Sequence, residues 1–278
     1  MLLWRQNRHH LRMHARTRHL VALLCLIGLA AFGPIITPHS PIVGDLFVKL
    51  RGPSLAHPFG TDNLGRDLLS RLLAGARPTL GRAALAATGV LALTAILGVV
   101  SGSSRAAGKL MDGLCDILLA LPRIVLALAI AGFLGPTSNG ALFAVVLAAW
   151  AGPTKVMAAN VRQIRALDFL DTARANGASK WRIAVHHVFP NAAPMLAVLG
   201  TVETGRLMVE LSALSFLGLG VQPPNPEWGR MLNDARPNFE RHPLSMFVPG
   251  VALTLSALVI HFAGDALRDR FDPASRSN

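Results

Sequence analysis

Six apolar runs, at about 20–37, 79–101, 113–134, 140–159, 192–220 and 245–265, constrain this chain more than any other feature. Each approaches the ~20 residues that a helix needs to cross a hydrocarbon core. Lipid offers no partner for a bare peptide group, so each run must satisfy its backbone internally, as a helix. An all-α membrane protein of about six transmembrane helices follows. Composition excludes the soluble alternative: 52% of residues are hydrophobic and 15% charged, with a mean hydropathy of +0.45. A water-soluble domain of this length carries more surface charge. The first run follows a tail rich in arginine (Arg5, Arg8, Arg12, Arg16, Arg18), as a cleaved signal peptide would. No small-residue cleavage site follows it, and Pro34 and Pro38 close it, so it reads as an uncleaved anchor.

The net charge of +12 raises nucleic acid as a partner. The basic residues sit in tails and loops with no stacking aromatics among them, and the chain has no Tyr, so nucleic acid is excluded and membrane topology explains the charge. With both termini cytoplasmic, sixteen Lys/Arg lie inside and nine outside: Lys49, Arg51, Arg66, Arg71, Arg77, Arg82, Arg230, Arg236 and Arg241. This orientation makes 1–19 and 266–278 cytoplasmic tails, 38–78 and 221–243 periplasmic segments, and 160–191 a cytoplasmic loop within a core of 79–265. Cys25 and Cys115 fall in or beside apolar runs and act as small hydrophobes, without a disulfide framework. His9, His10, His14 and His19 alternate with arginine, whose charge disfavours a metal ion, and no metal site is expected.

The loop is too elaborate for a connection, since helix–helix links usually run ~2–8 residues. It contains DTARANGASKWRIAVHHVFPN, Asp171 to Asn191. Arg162 to Ala175 has helical composition, and the helix is expected to end at Gly177, which takes positive φ without the penalty of a Cβ. A second helix, Lys180 to Val188, is expected to stop at Pro190. Two short helices joined by a tight bend suit a surface that another protein grips; the plainer reading is a solvated connecting hairpin.

This insert resembles the "EAA" loop of the permease subunits of bacterial ATP-binding-cassette importers. Ala173, Gly177, His187, Pro190 and Asn191 match the pattern, whereas Asp171 and Thr172 stand where Glu and Ala are usual. The resemblance implies that Asp171, Ala173, Ala175, Gly177, Ala178, His187, Pro190 and Asn191 couple the chain to a separate ATPase. HPFGTDNLGRDLLSRLLAGAR (His57 to Arg77), LSFLGLGVQPPNPEWGRMLNDAR (Leu214 to Arg236) and GDALRDRFDP (Gly264 to Pro273) resemble the "C"-type permease of peptide and nickel importers. It implies a type I importer transmembrane fold in the bacterial inner membrane and alternating access. The implied partners are a second homologous permease, two ATP-binding subunits and a periplasmic or lipid-anchored solute-binding protein. No nucleotide site is expected here: the glycines from Gly60 to Gly65 precede Arg66 and Asp67 instead of the Lys-Ser/Thr that holds phosphate and Mg²⁺. ATP and Mg²⁺ would sit on the partners, and no catalytic residue is expected.

Glu203, Arg206 and Glu210 fall at i, i+3 and i+7 and share one helix face. Charges at this depth face a protein interior or a wet cavity, so they are either a self-paired trio or a lining of the translocation path. Arg123 is expected to pair with Asp116 or to snorkel. Asp62 or Asn63 is expected to cap a helix starting near Leu64, Trp228 to lie at the interface with its N–H in water, and Arg268, Asp269 and Asp272 to pair near the cytoplasmic face. Gly98 and Gly102 form a GxxxG pair, a pattern also common by chance. Peptide-type relatives commonly carry a Glu where Leu211 stands and a small residue where Arg206 stands. These departures favour nickel or a metal chelate, with dipeptides or oligopeptides as the alternative cargo. An intramembrane enzyme lacks its motifs, for neither HExxH nor GxSxG occurs and Asp116 and Asp265 lie near span ends. A passive channel would need no docking hairpin.

Overall fold

A computed structural model describes residue 18 and residues 21–271. The tail histidines and Asp272 lie outside the described residues, as do the side chains of Asp171 and Asp269. Among the described residues the regular secondary structure is helical, apart from an isolated bridge between Thr61 and Asp67. In order the helices are α1 (Val21–Phe32), α2 (Leu68–Ser103), α3 (Arg105–Leu119), α4 (Arg123–Leu134), α5 (Ser138–Ala149), α6 (Ala151–Arg165), α7 (Asp168–Ala175), α8 (Lys180–Ile183), α9 (Phe189–Phe216), α10 (Trp228–Ala235) and α11 (Leu244–Phe271).

Three helices are long and apolar enough to cross a membrane: α2, the run Trp181–Phe216 that contains α9, and Leu244–Arg268 within α11. At 1.5 Å per residue, α2 is about 54 Å long and overreaches a ~30 Å hydrocarbon core. Two bent pairs bring the count to five, and the described part of α1 is shorter than a crossing. Exposed large hydrophobics on these helices, among them Leu85, Ile96, Phe143, Leu147, Val251 and Leu255, form the face expected toward lipid or a partner helix.

The run at 113–134 is not one straight span. Its helix starts earlier, at Arg105, and breaks at Ala120–Pro122, where the axis turns by 86° between α3 and α4. Pro122 has no N–H to continue the ladder, so a new helix begins after it. The run at 140–159 is likewise bent by 40°, between α5 and α6.

Alanine builds the centre of the bundle. Ala86 and Ala87 of α2, Ala127 and Ala131 of α4, and Ala141, Ala144 and Ala148 of α5 enclose Val90, Leu207 and Leu214. Small side chains let helices approach closely where lipid removes the hydrophobic drive to associate. The GxxxG pair does this against α6. A Cβ on Gly98 would lie 2.5 Å from Met157 Cγ, and one on Gly102 would lie 2.6 Å from Val161 Cβ.

One end of the bundle is closed by charge. Asp62 Oδ2 accepts from Arg66 Nε at 2.7 Å and lies 3.5 Å from Arg71 Nε. Asp234 of α10 holds Arg66 Nη2 at 3.1 Å, Arg71 Nη2 at 3.2 Å and Arg230 Nη2 at 2.8 Å. The expected cap at Asp62 or Asn63 is not found: α2 starts at Leu68 and Asp67 is its N-cap, accepting from Ser70 N at 2.8 Å. Asp62 instead closes the preceding turn, taking Leu64 N and Arg66 N. Trp228 is not at a wet interface either. It is fully buried, its Nε1 donating to Leu72 O at 2.9 Å and its backbone N to Thr79 Oγ1.

Candidate functional site

The hairpin lies at the other end. Helix α7 ends in a six-to-one bond from Ala178 N to Ala173 O at 3.1 Å, with Asn176 N bonding Thr172 O and Gly177 at φ +77°. That is a Schellman closure, and it gives Ala173, Gly177 and Ala178 defined places in one bend. Ser179 then begins the second helix, with its Oγ accepting from Arg182 N and its carbonyl from Ile183 N. No neighbour lies within 4 Å of where a Gly177 Cβ would sit, so the bend projects into open space.

Pro190 does not stop the second helix. Residues Ala184–Val188 form a π-turn, Phe189 N bonds Ala184 O, and the helix runs unbroken from Trp181 to Phe216. Pro190 falls in the first turn of α9, where its missing donor is tolerated. Asn191 repairs the ladder from the side, its Nδ2 donating to His187 O at 2.6 Å. The hairpin is fastened by Leu170 and Ile183, buried with Met157, Val161 and Ile164 of α6 and Ala192 of α9. Its outer face carries Trp181 at 75% exposure, with Phe169 and Leu167 also exposed. Exposed apolar side chains on a helical projection are the usual mark of a protein contact.

Between the two ends, a cavity of about 970 Å³ is lined by Arg123, Glu203, Arg206 and Arg268, with Asn160, Asn191 and aliphatic side chains of α3, α6 and α9. Arg123 pairs not with Asp116 but with two acids of α9. Its Nη1 donates to Glu203 Oε2 at 2.9 Å, and its Nε lies 2.7 Å from Glu210 Oε1. Asp116 pairs with Lys155. Glu203 is 3% exposed and also lies 3.5 Å from Arg206 Nη1, whose side chain is 65% exposed. The expected trio is therefore a quartet of two acids and two arginines across α4 and α9. Arg206 points its charge into the cavity, Glu203 sits behind it, and Glu210 is not part of the lining. Reading along one helix missed Arg123 because the partners are 80 residues apart. The available signal was an arginine placed just after Pro122, at the start of a half-helix.

His39, His57 and Asp67 are the described residues whose ligand chemistry comes together, all within 4.8 Å. Asp67 is already occupied by His57 Nδ1 at 3.0 Å and by Ser70 N and Oγ. They serve as a tied helix cap.

Residues 72–277 match the family described as "Binding-protein-dependent transport system inner membrane component". The chain is 37% identical over 93% of its length to the dipeptide transport system permease protein DppC of Alkalihalophilus pseudofirmus, covering 85% of that protein. It is 36% identical to the nickel transport system permease protein NikC of Escherichia coli K12, over 91% of both chains. It is 32% identical to the glutathione transport system permease protein GsiD of Pectobacterium atrosepticum, over 99% of this chain and 92% of that one. The inward-facing MetNI methionine ABC transporter structure shares the fold, with a TM-score of 0.59, 18% identity, and coverage of 72% of this chain and 95% of that one.

Proposed function

The chain belongs to the binding-protein-dependent transport inner membrane components, as a permease subunit of the peptide/nickel type of ABC importer, and from that premise we propose how it works. It forms half of a translocation path, and a second homologous permease completes it. Two separate ATP-binding subunits supply the energy, and a solute-binding protein delivers cargo on the periplasmic side.

One observation carries this reading: the hairpin and the charged cavity are two parts of the same helical rod. The helix that starts at Trp181 continues without a break past Glu203 and Arg206, and Leu170 and Ile183 lock α7 and α8 to α6. A push on the Gly177 bend moves α6 and α9 together. That displacement tilts the walls of the cavity, which alternating access requires. The bends at Pro122 and between α5 and α6 are the places where tilt can be absorbed.

Cargo follows from the lining. Arg123, Arg206 and Arg268 face the cavity with Glu203 recessed among them. This surface disfavours a bare divalent cation and attracts carboxylates. We infer that nickel crosses as a carboxylate-rich chelate, with dipeptides or oligopeptides as the alternative cargo. Reconstituting the permeases, ATPases and binding protein in proteoliposomes tests the reading. Uptake should need both ATP and the binding protein; uptake without either would make the chain a channel, and turnover by the chain alone would make it an enzyme. Calorimetry on the binding protein with nickel chelates and dipeptides decides the cargo.

A further inference from the structure

A second polar pocket, of about 580 Å³, lies at the hairpin end, between the α2–α3 junction and the end of α6. It is separate from the charged cavity, and its α6 wall, Arg162, Arg165 and Ala166, immediately precedes the hairpin helices α7 and α8. We propose that it binds a phosphate group, that of an anionic phospholipid at the inner leaflet.

The chemistry is that of an anion cradle. Arg105, Lys109, Arg162 and Arg165 line the pocket against a single acid, Asp112. Asp112 lies 3.7 Å from Arg162 Nη1, while Arg105 and Lys109 have no ion pair among the described residues. The fifteen-residue helix α3 starts here, and the positive end of its dipole adds to the charge of the cations. Two hydroxyls on the pocket wall are the independent sign of a ligand. The Oγ atoms of Ser101 and Ser103 are both buried without a hydrogen-bond partner, and Ser101 is only 2% exposed. A buried hydroxyl left unpaired is costly, and a phosphate oxygen would satisfy it once the pocket wall opens to admit the group.

Position argues for a lipid source. Ser103 is the last residue of a membrane-crossing helix, and Val100 and Leu110, next in sequence to the lining residues Ser101 and Lys109, are 51% and 76% exposed. Apolar side chains at that level meet acyl chains while the cations meet headgroups. Basic pockets between helices at the cytoplasmic face hold anionic headgroups for this reason.

The test uses the assembled transporter in nanodiscs, with spin-labelled phosphatidylglycerol or phosphatidylcholine as probe. Phosphatidylglycerol should be immobilised preferentially. Arg105→Gln with Lys109→Gln should weaken that preference about twenty-five-fold, since each surface cation is worth about fivefold. The charge-keeping pair Arg105→Lys with Lys109→Arg should retain it, and an unchanged thermal midpoint guards against misfolding. Displacement of the lipid by inorganic phosphate would identify a free phosphate as the ligand of the same site. Equal immobilisation of the two lipids, with no displacement by phosphate, overturns the proposal. So does a Gln pair that keeps its lipid preference but sheds the ATPase on size exclusion, which would make the cluster a protein contact.

Discussion

Replacing Asp234 with Asn tests whether the closed end of the bundle is held by charge balance. Asp234 Oδ2 serves two buried guanidiniums, Arg66 and Arg71, whose side chains are 3% and 1% exposed, and its Oδ1 holds Arg230. Asp62 is the other carboxylate of the knot. Without the charge at 234, three guanidiniums share one acid, and two of them cannot reach water. Removing one partner of a buried pair costs about 3–5 kcal/mol. Local opening of the segment before α2 should then become two to three orders of magnitude more frequent, at tenfold per 1.4 kcal/mol. Hydrogen exchange at Leu50 N and Thr61 N, which bond Asp62 O and Arg51 O, reads this directly. Arg71→Met removes one of the three cations, so that in the Asp234→Asn background two cations face the one remaining acid; it also gives up the bond to Pro41 O. Combined with Asp234→Asn it should recover part of the loss, a coupling of roughly 0.5–3 kcal/mol. Exchange less than tenfold faster in Asp234→Asn, or an Arg71→Met change as damaging by itself, would mean that packing and not charge holds this end.

Gly177→Ala should cost about 1–2 kcal/mol of backbone strain, because φ is +77° and nothing crowds the new Cβ. Asn visits that region more readily, so ATP-driven uptake should fall in the order Gly, Asn, Ala; equal uptake by all three would show that the shape of the bend is irrelevant to coupling. Burial pushes the Glu227 carboxyl above its ordinary 4.5, against the amides of Gly229 and Arg230 that favour the carboxylate. The folded chain therefore prefers the protonated acid, and that stabilisation is complete below about pH 4.5 and lost as pH rises through the raised value. The non-ionising Glu227→Gln should gain thermal stability relative to the unsubstituted chain as pH rises above about 4.5, and a difference that stays flat with pH would refute the assignment. Arg123→Gln leaves Glu203 buried with only Arg206 nearby, and should cost about 3–5 kcal/mol in detergent unfolding. Adding Glu203→Gln should restore part of it, and a double variant no better than the single would deny the pair its importance.

Features that depend on a short stretch of chain were legible in the sequence. The apolar runs gave the crossing helices, and Gly177 gave the bend, because a helix of L-residues closes most readily on a glycine. Pro122 and Pro190 show where local reading fails in opposite directions. Pro122 breaks what looked like one span, because the helix before it ends at the missing donor and the next one starts at 86° to it. Pro190 was expected to stop a helix and does not, because a π-turn ahead of it and the Asn191 side chain take over the backbone bonding. The remainder is long-range. Trp228 reads as an interfacial residue until Leu72, 156 positions earlier, accepts its N–H, and Arg123 reads as a snorkelling residue until Glu203 receives it. No local pattern encodes a partner at that separation.

The two ends of the bundle differ in the kind of force that holds them, and this bears on where motion can occur. At the knot end, ion pairs and the Glu227 and Trp228 bonds are directional, buried and mutually dependent. A shift of an ångström there strands a charge, so that end moves as a block or not at all. At the hairpin end, Leu170 and Ile183 hold α7 and α8 to α6 and α9 by close apolar packing, which strands no charge when the hairpin and those helices move as one body. Between them stands the Arg123 quartet, which links α4 to α9 at the level of the cavity. A force applied at Gly177 therefore meets little resistance until it reaches those ion pairs. Because Arg123 bridges two acids seven residues apart on α9, it can yield one contact while keeping the other. An arrangement of this kind passes a displacement from the hairpin to the cavity wall in steps, without exposing a fully unpaired charge.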